Sequence, residues 1–156
     1  MKRISLFILL SFFLFSCAND DNEPEIACDL IDAISSNLFI ELINTEGENL
    51  IENGMYNPND ITIDFNGNTF TNVVFTEVEG IQDFVAVSIF GDDGDNTIEI
   101  RLSETETDTL VMNLTRMETG GPCAQFVFQL NSATYNGVSR ELQDFGGDFL
   151  ITVVKE

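Results

Sequence analysis

Apolar residues recur at every second position through most of this chain, and that pattern limits what it can fold into. Leu38, Ile40 and Leu42 fall on one phase, with Phe39, Glu41 and Ile43 on the other. Ile61, Ile63 and Phe65 alternate with Thr62 and Asp64, and Val85, Val87 and Ile89 with Phe84, Ala86 and Ser88. Ile98, Ile100 and Leu102 alternate with Glu99 and Arg101, and Leu110, Met112 and Leu114 with Asn113 and Thr115. Phe126, Phe128 and Leu130 follow, then Phe149, Ile151 and Val153. Successive side chains of an extended backbone point to opposite faces, so these runs predict half-buried β-strands. Only Ile26, Leu30 and Ile34, behind Pro24, keep a helical spacing, and Ser35-Ser36-Asn37 ends it. An extended segment suits that stretch equally well.

The punctuation between the runs agrees. Asn53-Gly54, Asn66-Gly67 and Asn136-Gly137 each offer the two positive φ angles of a type I′ hairpin turn. The clearest case is Asn66-Gly67, set between the runs 61–65 and 68–75. Between Phe70 and Phe75 the apolar phase slips by one residue, which predicts a bulge near Asn72. Residues 91–96, Gly120-Gly121-Pro122 and Gly146-Gly147 read as turns, and 103–108 as a polar loop. Seven to nine short strands joined by hairpins predict an all-β fold, an antiparallel β-sandwich, with a small antiparallel barrel as the alternative. At 156 residues one domain is expected, large enough to bury about 68–70% of its unfolded surface without a metal or cofactor. The stretch LFIELINTEGENL, residues 38–50, resembles the opening hairpin of immunoglobulin-like and prealbumin-like modules, and implies a sandwich of one of those two types.

The N-terminus carries a different signal. Lys2 and Arg3 precede an apolar run over residues 4–15, broken only by Ser11. Twelve residues span about 18 Å as a helix, whereas a bilayer core needs about 30 Å, so a secretory signal fits and a membrane span does not. Leu14-Phe15-Ser16-Cys17 then resembles the lipobox of bacterial lipoproteins, although Phe15 stands where that family prefers a small residue. The resemblance implies cleavage before Cys17 and lipidation of its thiol, with two or three acyl chains forming a firm membrane anchor. Behind Cys17, Asp20, Asp21 and Glu23 form an acidic tether. It resembles the surface-export signal of lipoproteins in the Bacteroidota, and implies the outer face of the outer membrane. A solvated linker on a periplasm-facing lipoprotein is the alternative. The expected organisation is a signal peptide over 1–16, a lipidated Cys, tether and lead-in over 17–36, and one β domain over 37–156. As a whole the chain resembles small single-domain lipoproteins of flavobacteria, a group that brings no active site with it.

An exported protein meets oxidising conditions, so Cys28 and Cys123 are expected to form a disulfide, with two separate buried thiols as the alternative. Closing so long a loop is worth about 4–5 kcal/mol on the chain-entropy account.

Charge and composition then exclude whole classes of chemistry. Six Lys and Arg against 27 Asp and Glu leave a formal charge of −21, which argues against a nucleic-acid partner. Cleavage before Cys17 would remove two of those cations and no acid, for a formal −23. The chain has no His, so Ser–His–Asp and Cys–His catalysis and His-ligated zinc are out of reach. No glycine-rich phosphate loop is present. Paired carboxylates such as Glu77 and Glu79, on one predicted strand face, admit a two-carboxylate hydrolase. Among so many acids such pairs arise by chance. Asp92, Asp93 and Asp95, with Asn96, gather hard oxygen ligands suited to calcium, but their spacing departs from the EF-hand and equally suits a plain acidic turn. Asp108-Thr109-Leu110 resembles the acceptor motif of Bacteroidota O-glycosylation, implying a glycan on Thr109. No catalytic residue and no obligate cofactor is expected. The expected role is a lipid-anchored, non-enzymatic binding or structural module, with an unidentified envelope protein or glycan as partner. A small glycan-binding lipoprotein accessory to polysaccharide uptake is the alternative.

Overall fold

The computed structural model describes residues 36–120 and 126–156. Every described residue belongs to one compact unit, Asp32–Glu156. The expectations for the signal peptide 1–16, for Cys17, Asp20, Asp21, Glu23 and Cys28, and for Cys123 therefore lie outside the described residues.

Ten strands follow one another, with no helix among the described residues. They are β1 (Asn37–Ile43), β2 (Thr62–Phe65), β3 (Asn68–Phe70), β4 (Val85–Ser88) and β5 (Gly94–Arg101). Then come β6 (Thr107–Glu118), β7 (Phe126–Tyr135), β8 (Val138–Arg140), β9 (Gln143–Phe145) and β10 (Asp148–Val154). A four-stranded sheet has the order β4-β1-β10-β9, and a six-stranded sheet the order β3-β2-β5-β6-β7-β8. The two pack face to face as a β-sandwich and do not close into a barrel. Neighbours pair antiparallel except β1 and β10, which run parallel from Leu38 opposite Phe149 to Ile43 opposite Val154.

The alternation decides which face goes inward. Leu38, Ile40 and Leu42 of β1, Val85 and Val87 of β4, and Ile151 and Val153 of β10 meet Ile63, Ile98, Ile100, Leu110, Met112 and Leu114 of the opposing sheet, all buried. Burying each such side chain fully is worth about 1.5–3 kcal/mol against leaving it in water.

Two of the three Asn-Gly turns form as expected. Asn66 and Gly67 have φ of 50° and 79°, and Asn136 and Gly137 of 48° and 76°, joining β2 to β3 and β7 to β8. Asn53-Gly54 does not make a hairpin. Asn49 Oδ1 accepts the N–H groups of Ile51 and Glu52 and starts a helical turn, in which Asn53 N–H bonds Asn49 O and Gly54 alone takes positive φ. The run 38–50 forms β1 and a short antiparallel return, with the bridge Ile43 to Asn49 flanked by hydrogen bonds from Leu50 N–H to Leu42 O and from Asn44 N–H to Glu48 O.

The phase slip near Asn72 is not a bulge but a change of sheet. β3 ends at Phe70, Asn72 adopts φ 56°, and the chain crosses to the other sheet. There Val73 O accepts the N–H of Ala86, and Val74 pairs with Val85. The true bulge lies on β7. Asn113 faces Ser132 while Leu114 faces Leu130, so Asn131 is the extra residue and the inward phase passes from Leu130 to Ala133 and Tyr135. Residues 76–80, with Glu77 and Glu79, form no strand, and both acids are exposed in a loop.

Candidate functional site

At one end of the sandwich, ionisable side chains from four separate segments converge. Asp108 stands on the inward phase of β6, one step before Leu110, and Lys155 follows the inward Val153 of β10. Lys155 Nζ lies 2.5 Å from both Asp108 Oδ2 and Glu106 Oε1. The Asp108 and Lys155 side chains are only 7% and 15% exposed, and that of Glu106 38%. Tyr135 donates its hydroxyl to Asp108 Oδ2 at 2.8 Å, and Asn136 Nδ2 donates to Oδ1 at 2.8 Å. Tyr56, placed by the turn that follows Asn49, donates to Glu106 Oε2 at 2.9 Å, and Lys155 Nζ sits 5.9 Å from the centre of its ring. These are the only two tyrosines of the chain.

The electrostatics follow from burial and partners. Burial alone pushes Asp108 towards its neutral form, but hydrogen bonds from Lys155, Asn136 and Tyr135 outweigh it and hold the carboxyl below its usual range. Burial likewise lowers Lys155, and its hydrogen bonds to Asp108 and Glu106 reverse that, leaving the amine above the usual lysine value. The Tyr135 phenol is pushed up by burial and then by the Asp108 charge, and Tyr56 by burial and its bond to Glu106, so both remain donors. An amine thus rests against two carboxylates, with three neutral donors holding the carboxylate oxygens.

A second feature is an open groove of about 510 Å³ where the chain changes sheets. Phe70, Phe75 and Phe90, each about two-fifths exposed, line it together with Asn37, Asn72, Ser88 and Asp148. Phe90 stacks edge-on against Phe65 at 5.3 Å and Phe70 at 6.1 Å. Phe39 and Phe145 form one more edge-on pair at 5.6 Å and complete the wall on the outer face of the four-stranded sheet. Phe90 also lines a smaller apolar recess with Ser36, Met117 and Phe126.

The acids expected to suit calcium are not brought together. The turn is built on the buried Asn96, whose Oδ1 accepts Asp92 N–H and whose Nδ2 donates to the carbonyls of Asp92 and Gly94. Asp93 accepts the N–H of Arg116, and Asp95 accepts Asn113 Nδ2. Among the described residues no group of three His, Cys, Asp or Glu is arranged to hold a metal ion. Thr109 is exposed on the outer face of β6, opposite Glu99, while Asp108 beside it is buried in the cluster above.

The sequence reading singled out Asp108 only as part of the Thr109 motif and passed over Tyr56, Glu106, Tyr135, Asn136 and Lys155. The signal was available in the alternation. Carried one step further, the inward phase of Leu110 and Met112 reaches Asp108, and that of Ile151 and Val153 reaches Lys155. A comparison with protein-family models, curated proteins and solved structures finds no match to this chain.

Proposed function

We propose that this is a lipid-anchored outer-membrane protein, displayed at the cell surface, that serves as a non-enzymatic binding or structural module through its aromatic groove. The observation that carries the binding role is the set of three phenylalanine rings, Phe70, Phe75 and Phe90, left part-exposed around one concavity. Apolar surface gathered in one recess favours a partner over water. The anchor rests on the lipobox-like Leu14-Phe15-Ser16-Cys17 and the surface location on Asp20, Asp21 and Glu23. A glycan ligand is the second reading, favoured by Asn37, Asn72, Ser88 and Asp148 set among the rings, since sugars stack on aromatic faces and hydrogen-bond to such groups.

The test is a crosslinking pull-down from native outer membranes, run beside a glycan array, with wild type and a Phe70→Ser/Phe75→Ser variant. Loss of the captured partner, or of saturable glycan binding, in the variant supports the groove. An identical capture profile for both proteins overturns it. The anchor has its own control, because Cys17→Ala should leave the protein unprocessed or released from membranes.

A further inference from the structure

We propose that Lys155 and Asp108 become joined by an intramolecular isopeptide bond, formed by the protein itself with Glu106 carrying the proton. The geometry supplies every group the reaction needs. Lys155 Nζ, the nucleophile, is in contact with the carboxyl group it would attack, 2.5 Å from Asp108 Oδ2. Glu106 Oε1, also 2.5 Å from Nζ, is placed to take a proton from the amine and return it to the leaving oxygen. Asp108 Oδ1, the oxygen the amide keeps, is held by Asn136 Nδ2 at 2.8 Å, a donor positioned for the negative charge that develops there. Oδ2, the oxygen that leaves, accepts the Tyr135 hydroxyl at 2.8 Å. Tyr56 fixes Glu106 from its other oxygen and is a positioning residue.

The step balances without a co-reactant. Nζ forms a bond to Cγ of Asp108, the Cγ–Oδ2 bond breaks, and two of the three ammonium protons depart with Oδ2 as water. What remains is a neutral amide. Holding reacting groups in contact replaces their encounter in solution, and effective molarities for well-oriented pairs reach about 10⁵–10⁸ M. Burial adds a driving force in the same direction, since two poorly solvated charges are exchanged for one neutral group that keeps its Asn136 donor. The bond would tie β6 of the six-stranded sheet to the end of β10 in the four-stranded sheet.

Trypsin makes the test decisive. Cleavage at Arg101, Arg116, Arg140 and a free Lys155 yields separate peptides 102–116 and 141–155. An acylated Lys155 resists cleavage, so the bond yields one branched peptide, 102–116 joined to 141–156, lighter than its parts by one water. Full-length protein is extracted from membranes in detergent, reduced, digested and mapped by tandem mass spectrometry. The expected result is the branched peptide in wild type, its absence in Lys155→Arg, and at least a tenfold loss in a Glu106→Gln variant whose circular dichroism matches wild type. Separate peptides in wild type, or an undiminished branched peptide in Glu106→Gln, would overturn the proposal.

Discussion

Asn96 shows how one side chain can set the shape of a loop. It is 5% exposed, sits on the inward phase of β5, and satisfies three backbone groups of its own turn. A Cβ on Gly91 would land on that side chain, so the two positions are coupled. Asn96→Ala removes all three bonds and should cost about 1–3 kcal/mol. Asn96→Asp should cost more, because a carboxylate can no longer donate to the carbonyls of Asp92 and Gly94 and is repelled by them. Urea unfolding of the two variants checks the order; an Asp variant as stable as wild type contradicts it. The same inward-phase rule identifies Asp108 and Lys155 as buried charges from the sequence. That they meet is not readable from either strand, because it depends on which strand ends the sandwich brings together.

Among the elements, the middles of β5 and β6 are legible residue by residue, since period-2 alternation maps directly onto burial in an internal strand. Their ends are not: Gly94–Asn96 read as a turn and Thr107–Asp108 as a loop, and all five are strand. Ile100→Ala in β5 should cost about 2–5 kcal/mol through the cavity it leaves. Val138→Ala on the edge strand β8, half-exposed, should stay within about 0.5 kcal/mol. Equal shifts in the urea midpoint would mean that the core is misplaced. The elements that escape the sequence are those set by distant partners. The parallel pairing of β1 with β10 joins opposite ends of the domain, and no local signal marks it. The change of sheet after Phe70 looks like a bulge because either event shifts the phase by one residue. The aromatic groove is formed there, so no local signal marks it either. β6, at twelve residues, is longer than the seven-residue β1 and β10, and its far end at Arg116 and Met117 is exposed. There Arg116 covers Phe126, 3.5 Å from the ring centre.

For the whole molecule, the charged cluster links fold stability to pH in a way that depends on the cross-link. Once the proposed amide has formed, wild type has neither titrating group. In Glu106→Gln the Lys155–Asp108 pair stays ionic. Asp108 is then held below its usual value, so its contribution is complete at neutral pH and is lost as pH falls through the depressed folded value. Lys155 keeps the raising hydrogen bond to Asp108 in this variant and loses the one to Glu106. Urea midpoints should therefore diverge between the two proteins as pH falls into the acid range. Parallel curves would show that the pair does not govern stability in the variant.

The parallel register of β1 and β10 also has a mechanical consequence. The domain begins at the lower end of one strand and finishes at the upper end of its neighbour, with six paired positions between them. A pull between Ser36 and Glu156 therefore loads that interface in shear, lengthwise along both strands. The rungs cannot unzip one after another and must yield together. Under the proposed anchor at Cys17, tension applied through the N-terminus would meet the domain along its strongest axis.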